Sequence, residues 1–315
     1  MLGIVLTVLA VLTGLTIMSG RITAYAQQHL YFDQIVWQKQ TPYQSLVVTN
    51  EWPKRDLRLF IDGHLQFSQT DEHRYHESLV HPVMSWGSTS PRNVLVMGGG
   101  DGLAAREILK YPAVERIDLV DLDPAMTKLG TDFAPLTRLN GDSMNSPKVH
   151  IHNQDAFVFV KSADIKYDRV IIDFPDPHNE AISKLYSVEF YKMLSNHLTD
   201  DAVIVSQSSS PFFARGTYWS IAETMGAVFP KTTSYNVSIP SFGVWGFNMA
   251  QMSPDSRVGT LPGSLNFMSD QMFEAAQLFP NDMARPKALT PNSIFEPTLY
   301  HTYLHDMDSG PLVKK

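Results

Sequence analysis

The sequence has no cysteine, which excludes disulfides, thiol nucleophiles and cysteine-held metals. It has no excess of basic charge: 25 Lys and Arg stand against 32 Asp and Glu, a formal net charge of -7. That balance argues against a nucleic-acid binder and leans towards cationic partners. Neither a Walker lysine nor a G-x-G-x-x-G fingerprint follows its glycine-rich turn, so nucleoside triphosphates and NAD fit poorly. Repeats and low-complexity tracts are absent too. What remains, 315 residues with 43% hydrophobic and 18% charged side chains, is enough for one large or two modest folded domains.

Charge is also missing from the first segment. Leu2 to Gly20, "LGIVLTVLAVLTGLTIMSG", has no ionisable residue, and Arg21 follows it directly. Its length is close to the roughly 20 residues needed to cross a bilayer. No Lys or Arg precedes it, as the n-region of a signal peptide would require. Residues 1–21 therefore read as a transmembrane helix. With its flanking positive charge on the inner side, the remainder faces the cytoplasm from the cell membrane.

After a polar connector, "YQSLVVTNE" and "LRLFIDGHLQFS" predict strands of a small antiparallel unit. "DEHRYHESLVHPVMSW" has helical spacing, with Tyr75, Leu79 and Val83 on one face and Asp71 near the cap position. This N-terminal β-rich domain and helix is expected over 22–90. From Asn93 apolar strands alternate with helices: "NVLVMG", "RIDLVDLD", "KVHIHNQ", "YDRVIIDF", "AVIVSQ" and "TTSYNVSIPS". That pattern predicts a doubly wound parallel sheet over 91–255. Residues 256–315 read as a helical segment, "SDQMFEAAQLF", and a polar tail.

In such sheets ligands sit beyond the carboxyl ends of the strands. "GGGDG" follows the first strand and includes Gly98, Gly100 and, unusually, Asp101. A carboxylate there would repel a pyrophosphate. "VDLD" ends the second strand, where Asp121 can accept from both hydroxyls of a ribose. "NQDA" ends the third, where Asp155, followed by Ala156, can accept from an adenine amino group. Together they describe a site for an adenosine without phosphates. An Asp101 facing its tail suits a bare aminopropyl ammonium, as in decarboxylated S-adenosylmethionine, better than an amino acid. At the fourth strand end, "DFPDPHN" sets Asp173 and Asp176 three residues apart on a loop stiffened by Pro175 and Pro177. Two acids facing a cleft suit a diamine: one holds a cation, and the other removes a proton from an amine whose pKa is about 10. His81 reads as structural, and no cluster has metal-ligand spacing.

Read in order, "YQSLVV", "DGHLQFSQTDEHRYHESLVH", "VLVMGGGDG", "VDLD", "DA", "YDRVIIDFPDP", "LYSVEFY" and "WGF" resemble the spermidine synthases, the polyamine aminopropyltransferases, from about Thr41 to Ala250. The apolar segment ahead of them resembles the membrane-bound bacterial members, and on that likeness it is the last of several spans. The resemblance implies a Rossmann-like fold of the class I methyltransferase type and a homodimer or higher homo-oligomer. It implies transfer of the aminopropyl group of decarboxylated S-adenosylmethionine, as co-substrate and with no cofactor, to a polyamine acceptor such as putrescine. Gln44 and the "YHE" segment with His76 would line the donor site, and Tyr75 would lie between donor and acceptor. Asp173 would be the base, helped by the Tyr75 hydroxyl, with Asp176 and Gln207 on the acceptor. Three departures stand on the acceptor side. "QSSS" replaces a Glu-containing "QGES" and puts Ser209 at the acid, Phe242 stands where many members have Tyr, and "DPHN" replaces "DP.GP". Two other readings use the same residues: an S-adenosylmethionine-dependent methyltransferase, which Asp101 disfavours, and a non-catalytic polyamine- or nucleoside-binding module on a membrane anchor.

Overall fold

The computed structural model of the chain describes Gly3, Thr13 and residues 28–53, 55–255 and 259–309. Apart from Gly3 and Thr13, the expected membrane segment falls outside these residues. Among the described residues, no helix is long and apolar enough to cross a membrane.

The chain divides into two compact units, one ending at Ser68 and the other running from Gln69. The smaller is a four-stranded antiparallel sheet of β1 (Gln34–Gln40), β2 (Ser45–Glu51), β3 (Asp56–Ile61) and β4 (His64–Ser68), paired in that order. Leu46, Val47, Val48, Leu57, Leu59 and Phe67 are its buried apolar residues. Arg58 crosses its surface to Asp33, Glu51 and Asp56 at 2.6, 2.8 and 2.7 Å. The boundary at Ser68 differs from the expected one near residue 90, because α1 (Glu72–Met84) buries Leu79, Val80, Val83 and Met84 in the core of the larger unit.

That core flanks a seven-stranded sheet. Its strands are β5 (Asn93–Gly98), β6 (Arg116–Val120), β7 (Val149–His152), β8 (Tyr167–Asp173), β9 (Leu198–Gln207), β10 (Lys231–Ile239) and β11 (Gly243–Gln251), in the order β10-β11-β9-β8-β5-β6-β7. β5 to β9 are parallel and read as apolar runs because helices cover both faces. The helices between them are α2 (Leu103–Ile108), α3 (Pro124–Asp132), α4 (Ala134–Leu139), α5 (Ala156–Ser162), α6 (Glu180–Ser183) and α7 (Val188–Ser195), with α8 (Arg215–Gly226) after β9. The sheet is not parallel throughout. β11 pairs antiparallel with both β9 and β10, forming a closing hairpin through a turn at 240–242. β11, "GVWGFNMAQ", is an additional strand beyond those the sequence pattern predicts.

The C-terminal stretch is also more ordered than a tail. α9 (Asp270–Ala276) has Phe273 and Ala276 buried, and α10 (Thr298–Ser309) has Leu299 and Tyr303 buried. Thr217 of α8 donates to Asp306 from its amide at 2.7 Å and its hydroxyl at 2.9 Å, which fastens α10. An apolar pair at i, i+4 inside a polar dodecamer is too sparse a stripe to announce a docked helix.

Candidate functional site

The order β7-β6-β5-β8-β9 brings five carboxyl ends to one edge of the sheet, with the reversal of strand order between β5 and β8. Gly98, the last residue of β5, lies opposite Asp173, the last of β8. Its φ of 83° is left-handed, and a Cβ there would collide with the Asp173 carbonyl, so only glycine lets the strand ends close up. The loop then runs between two carboxylates. A Cβ on Gly99 would stand 3.7 Å from Asp173 Oδ2, and one on Gly100 would stand 2.5 Å from Asp121 Oδ2. Glycine here leaves space between acids on neighbouring strands.

Backbone amides hold the acids of the glycine loop and the second strand. Gly100 N donates to Asp121 Oδ2 at 3.1 Å, and Asp123 N donates to Oδ1 at 2.9 Å. Asp101 Oδ1 accepts from Leu103 N at 2.9 Å, while its carbonyl accepts from Asn140 at 2.7 Å. Burial, in spite of those amides, pushes the Asp121 carboxyl up to about 7. Burial likewise raises Asp101. Asp155 is held differently. It caps α5 through Phe157 N at 2.7 Å and pairs with Lys184 at 2.9 Å, so both its oxygens have protein partners, and Ala156 begins the helix. Gln44 belongs to the smaller unit, in the turn between β1 and β2, where its amide and carbonyl bond Thr41.

α1 brings Tyr75 and His76 to the same edge. The Tyr75 hydroxyl donates to Asp173 Oδ1. Its ring packs on Phe242, 6.0 Å between centroids, and on Phe247 at 5.4 Å. Burial raises Asp173 to about 6, with the Asp101 charge adding to it and His76 and the Tyr75 bond opposing. His76 is almost wholly buried, and its Nδ1 donates to Glu72 Oε2 at 2.8 Å. Arg106 grips the same carboxylate with two nitrogens at 2.8 and 2.9 Å. Although burial opposes the ionised form, these partners hold Glu72 at about 2. Burial also works against a proton on His76, yet the bond to Glu72 and its charge outweigh that and draw the pKa up. Glu77, the third residue of "YHE", turns away and accepts from the amides of Asn266, Phe267 and Met268 at 2.7 to 2.9 Å. His81 bonds Glu107 at 2.7 Å and the Tyr111 hydroxyl at 2.8 Å in a buried structural group.

Asp71 does not cap α1 with its side chain. It reaches the turn after β10, where Ser241 donates from its amide at 2.7 Å and its hydroxyl at 2.9 Å. The next residue, Phe242, is the ring over Tyr75, and Trp245 packs edge-on behind it at 5.0 Å.

Asp176 has side-chain partners instead of amides. Gln207 Nε2 lies 3.4 Å from Oδ1, and the Ser209 and Tyr303 hydroxyls each lie 3.3 Å from Oδ2. Gln207 also donates to the Phe174 carbonyl at 2.5 Å and accepts from Ser209 N at 2.9 Å, tying the end of β9 to the Asp173–Asp176 loop. Ser209 adopts φ of 65°, a conformation costly for any residue but glycine, asparagine or aspartate. Burial raises Asp176 too, against its three donors. Among the described residues, no Lys, Arg or His forms an ion pair with Asp101, Asp121, Asp173 or Asp176. Four carboxylates at one edge without bonded cations fit a cationic ligand with several charges. Glu72, Arg106 and Tyr303 are not singled out by the sequence. An i, i+4 Glu–His pair marks the first, whereas nothing local marks Tyr303, 127 residues from its partner.

The spermine/spermidine synthase domain matches residues 72–260. Polyamine aminopropyltransferase 1 of Streptomyces coelicolor is 44% identical over 305 residues, covering 95% of this chain and 56% of that protein. The polyamine aminopropyltransferase of Leptospira interrogans is 46% identical over 267 residues, covering 85% of this chain and 53% of that one. The chain thus spans about half the length of the curated relatives it matches. A crystal structure of spermidine synthase in complex with the transition state analogue AdoDATO superposes with a TM-score of 0.72 at 24% identity, over 79% of this chain and 86% of that chain. Spermidine synthase of Thermotoga maritima superposes with a TM-score of 0.71 at 23% identity, over 79% and 85%. At such identities the two structures speak for the fold.

Proposed function

Because the chain belongs to the spermine/spermidine synthase family, we propose that it is a polyamine aminopropyltransferase. It moves the aminopropyl group of decarboxylated S-adenosylmethionine to putrescine and releases 5'-methylthioadenosine. The observation that carries this reading is the set of four carboxylates without bonded cations, two beside the glycine loop and two on the β8 loop. Asp121 accepts from the ribose hydroxyls, and Asp101 faces the ammonium of the aminopropyl tail. Asp176 holds the far ammonium of the diamine, while Asp173 takes a proton from the near one.

The freed nitrogen lone pair attacks the carbon beside the sulfonium. A C–N bond forms as the C–S bond breaks, and the sulfur leaves as a neutral thioether. Positioning and proton removal carry the step, so no cofactor is needed. The Tyr75 hydroxyl keeps Asp173 oriented, and the Tyr75 ring packs on Phe242. Burial raises Asp173, and His76 and the Tyr75 bond hold it lower than burial alone would. On this reading the adenine lies beside the Asp155–Lys184 pair. We further propose that Leu2–Gly20 anchors the chain in the cell membrane with the enzyme on the cytoplasmic side, as a homodimer or higher homo-oligomer. The uncharged run and the Arg21 that follows support the anchor.

The deciding experiment supplies the full chain with decarboxylated S-adenosylmethionine and putrescine, cadaverine, 1,3-diaminopropane, spermidine or agmatine. Mass spectrometry follows 5'-methylthioadenosine and the product amine. Transfer to putrescine is expected. Methyl transfer from S-adenosylmethionine would overturn the reading, and donor binding without any product would make the chain a binding module. Retention of the full chain in membranes after a carbonate wash checks the anchor.

A further inference from the structure

Tyr303 lies beyond the segment matched by the family domain, which ends at residue 260. Its place is nonetheless well determined. Leu299 and Tyr303 form the inward stripe of α10, and Asp306, less than a turn further on, is fastened to Thr217. Ahead of the helix, Asn292 donates to the carbonyls of Ser183 at 2.9 Å and Tyr186 at 3.2 Å, and accepts from Leu299 N at 3.2 Å. These bonds deliver the Tyr303 hydroxyl to Asp176 Oδ2, the oxygen that Ser209 also reaches.

The donors around Asp176 are all neutral, and all lie at 3.3 to 3.4 Å. Contacts of that length are longer than the about 2.5–2.7 Å of a strong hydroxyl–carboxylate bond, so they leave most of the charge of Asp176 unspent. We propose that Tyr303 is a positioning residue for the amine acceptor. Its hydroxyl fixes the rotation of the Asp176 carboxylate so that an oxygen faces the far ammonium of the diamine, and α10 thereby completes the acceptor end of the site. The inference rests on the aminopropyltransferase reading and adds a residue to it from outside the matched domain.

The test uses the full chain and the variants Tyr303→Phe and Tyr303→Ala. Initial rates are measured with putrescine varied at saturating donor and with donor varied at saturating putrescine. Putrescine binding is measured separately by calorimetry. Tyr303→Phe is expected to raise the KM for putrescine about tenfold, as for a lost hydrogen bond to a charged group. The KM for the donor and the turnover at saturation should stay as in the parent, and Tyr303→Ala should show at least the same defect. A putrescine KM unchanged in Tyr303→Phe but raised in Tyr303→Ala would mean that the ring merely packs, and would overturn the proposal. So would a loss spread equally over both substrates. If the parent chain transfers no aminopropyl group, the functional reading fails, and calorimetry still decides the inference. Weaker putrescine binding by Tyr303→Phe supports it, and equal or absent binding in both proteins sinks it.

Discussion

On the aminopropyltransferase reading, the donor and acceptor ends of the site are built from the same residue type by opposite means. At the donor end Asp101 and Asp121 are held by amides of Leu103, Gly100 and Asp123. The farthest of these donors is 21 residues from its acceptor. At the acceptor end Asp173 and Asp176 are held by the side chains of Tyr75, Gln207, Ser209 and Tyr303, up to 127 residues away. A carboxylate fixed by backbone cannot be retuned without moving a strand end. One fixed by hydroxyls and an amide changes with single substitutions. On that reading the donor end is the harder half to alter, and the acceptor end is the half that single substitutions can retune.

The sharpest way to break this division is at Asp173. Asp173→Asn should lower turnover about 10²–10⁴-fold, as removal of a general base does, with donor affinity by calorimetry nearly unchanged. Donor binding that fell in step with turnover would mean that the two ends are not separable. Next in size, Asp101→Asn should weaken decarboxylated S-adenosylmethionine by about 1.5–3 kcal/mol and erase its advantage over S-adenosylmethionine, leaving the KM for putrescine in place. A shift in the amine's KM would assign Asp101 to the wrong half.

Tyr75→Phe tests the seam between them. Removing a bond that lowers the pKa of Asp173 should move the acid limb of the rate profile, expected near pH 6, to higher pH. Turnover at neutral pH should fall about tenfold. An acid limb that stayed in place would show that Tyr75 does not govern Asp173.

The smallest effect is on stability. Asp121 and Asp173 stand at about 7 and about 6 in the fold, above the roughly 3.9 of a free aspartate. The folded chain then binds more protons than the unfolded one between about pH 4 and 7, so stability falls as pH rises through that window. The unliganded protein should melt higher at pH 5.5 than at pH 8, and Asp121→Asn should flatten that slope. A parent melting curve independent of pH would contradict both raised values.

The same contrast explains what could be read from the sequence. Strand ends followed by short turns announce Gly98, Gly100, Asp101 and Asp121, because the residues that position them are neighbours in the chain. β5 to β10 were legible for the same reason, as apolar runs bounded by turn residues. Arg106 reaches Glu72, the partner of His76, from another helix, and the partners of Asp176 come from the end of β9, the turn after it and α10. Contacts of that kind follow from packing, which no window along the chain contains. β11 and α10 escaped notice because each rests on its neighbours more than on its own pattern.

The mooring of Asp71 to Ser241 joins two places that share no chemistry with either substrate. The helix that brings the Tyr75 hydroxyl to Asp173 is, at its own first turn, the fixture for the ring that roofs Tyr75. A shift of that helix would carry the ring with it, so on the proposed mechanism the cover over the proton transfer would move with the base's partner. In inheritance this couples a buried acid and a half-buried serine. Relatives that lose the acid at 71 should be found to have rebuilt the turn at 241, and a chain altered at only one of the two should let water in above the base.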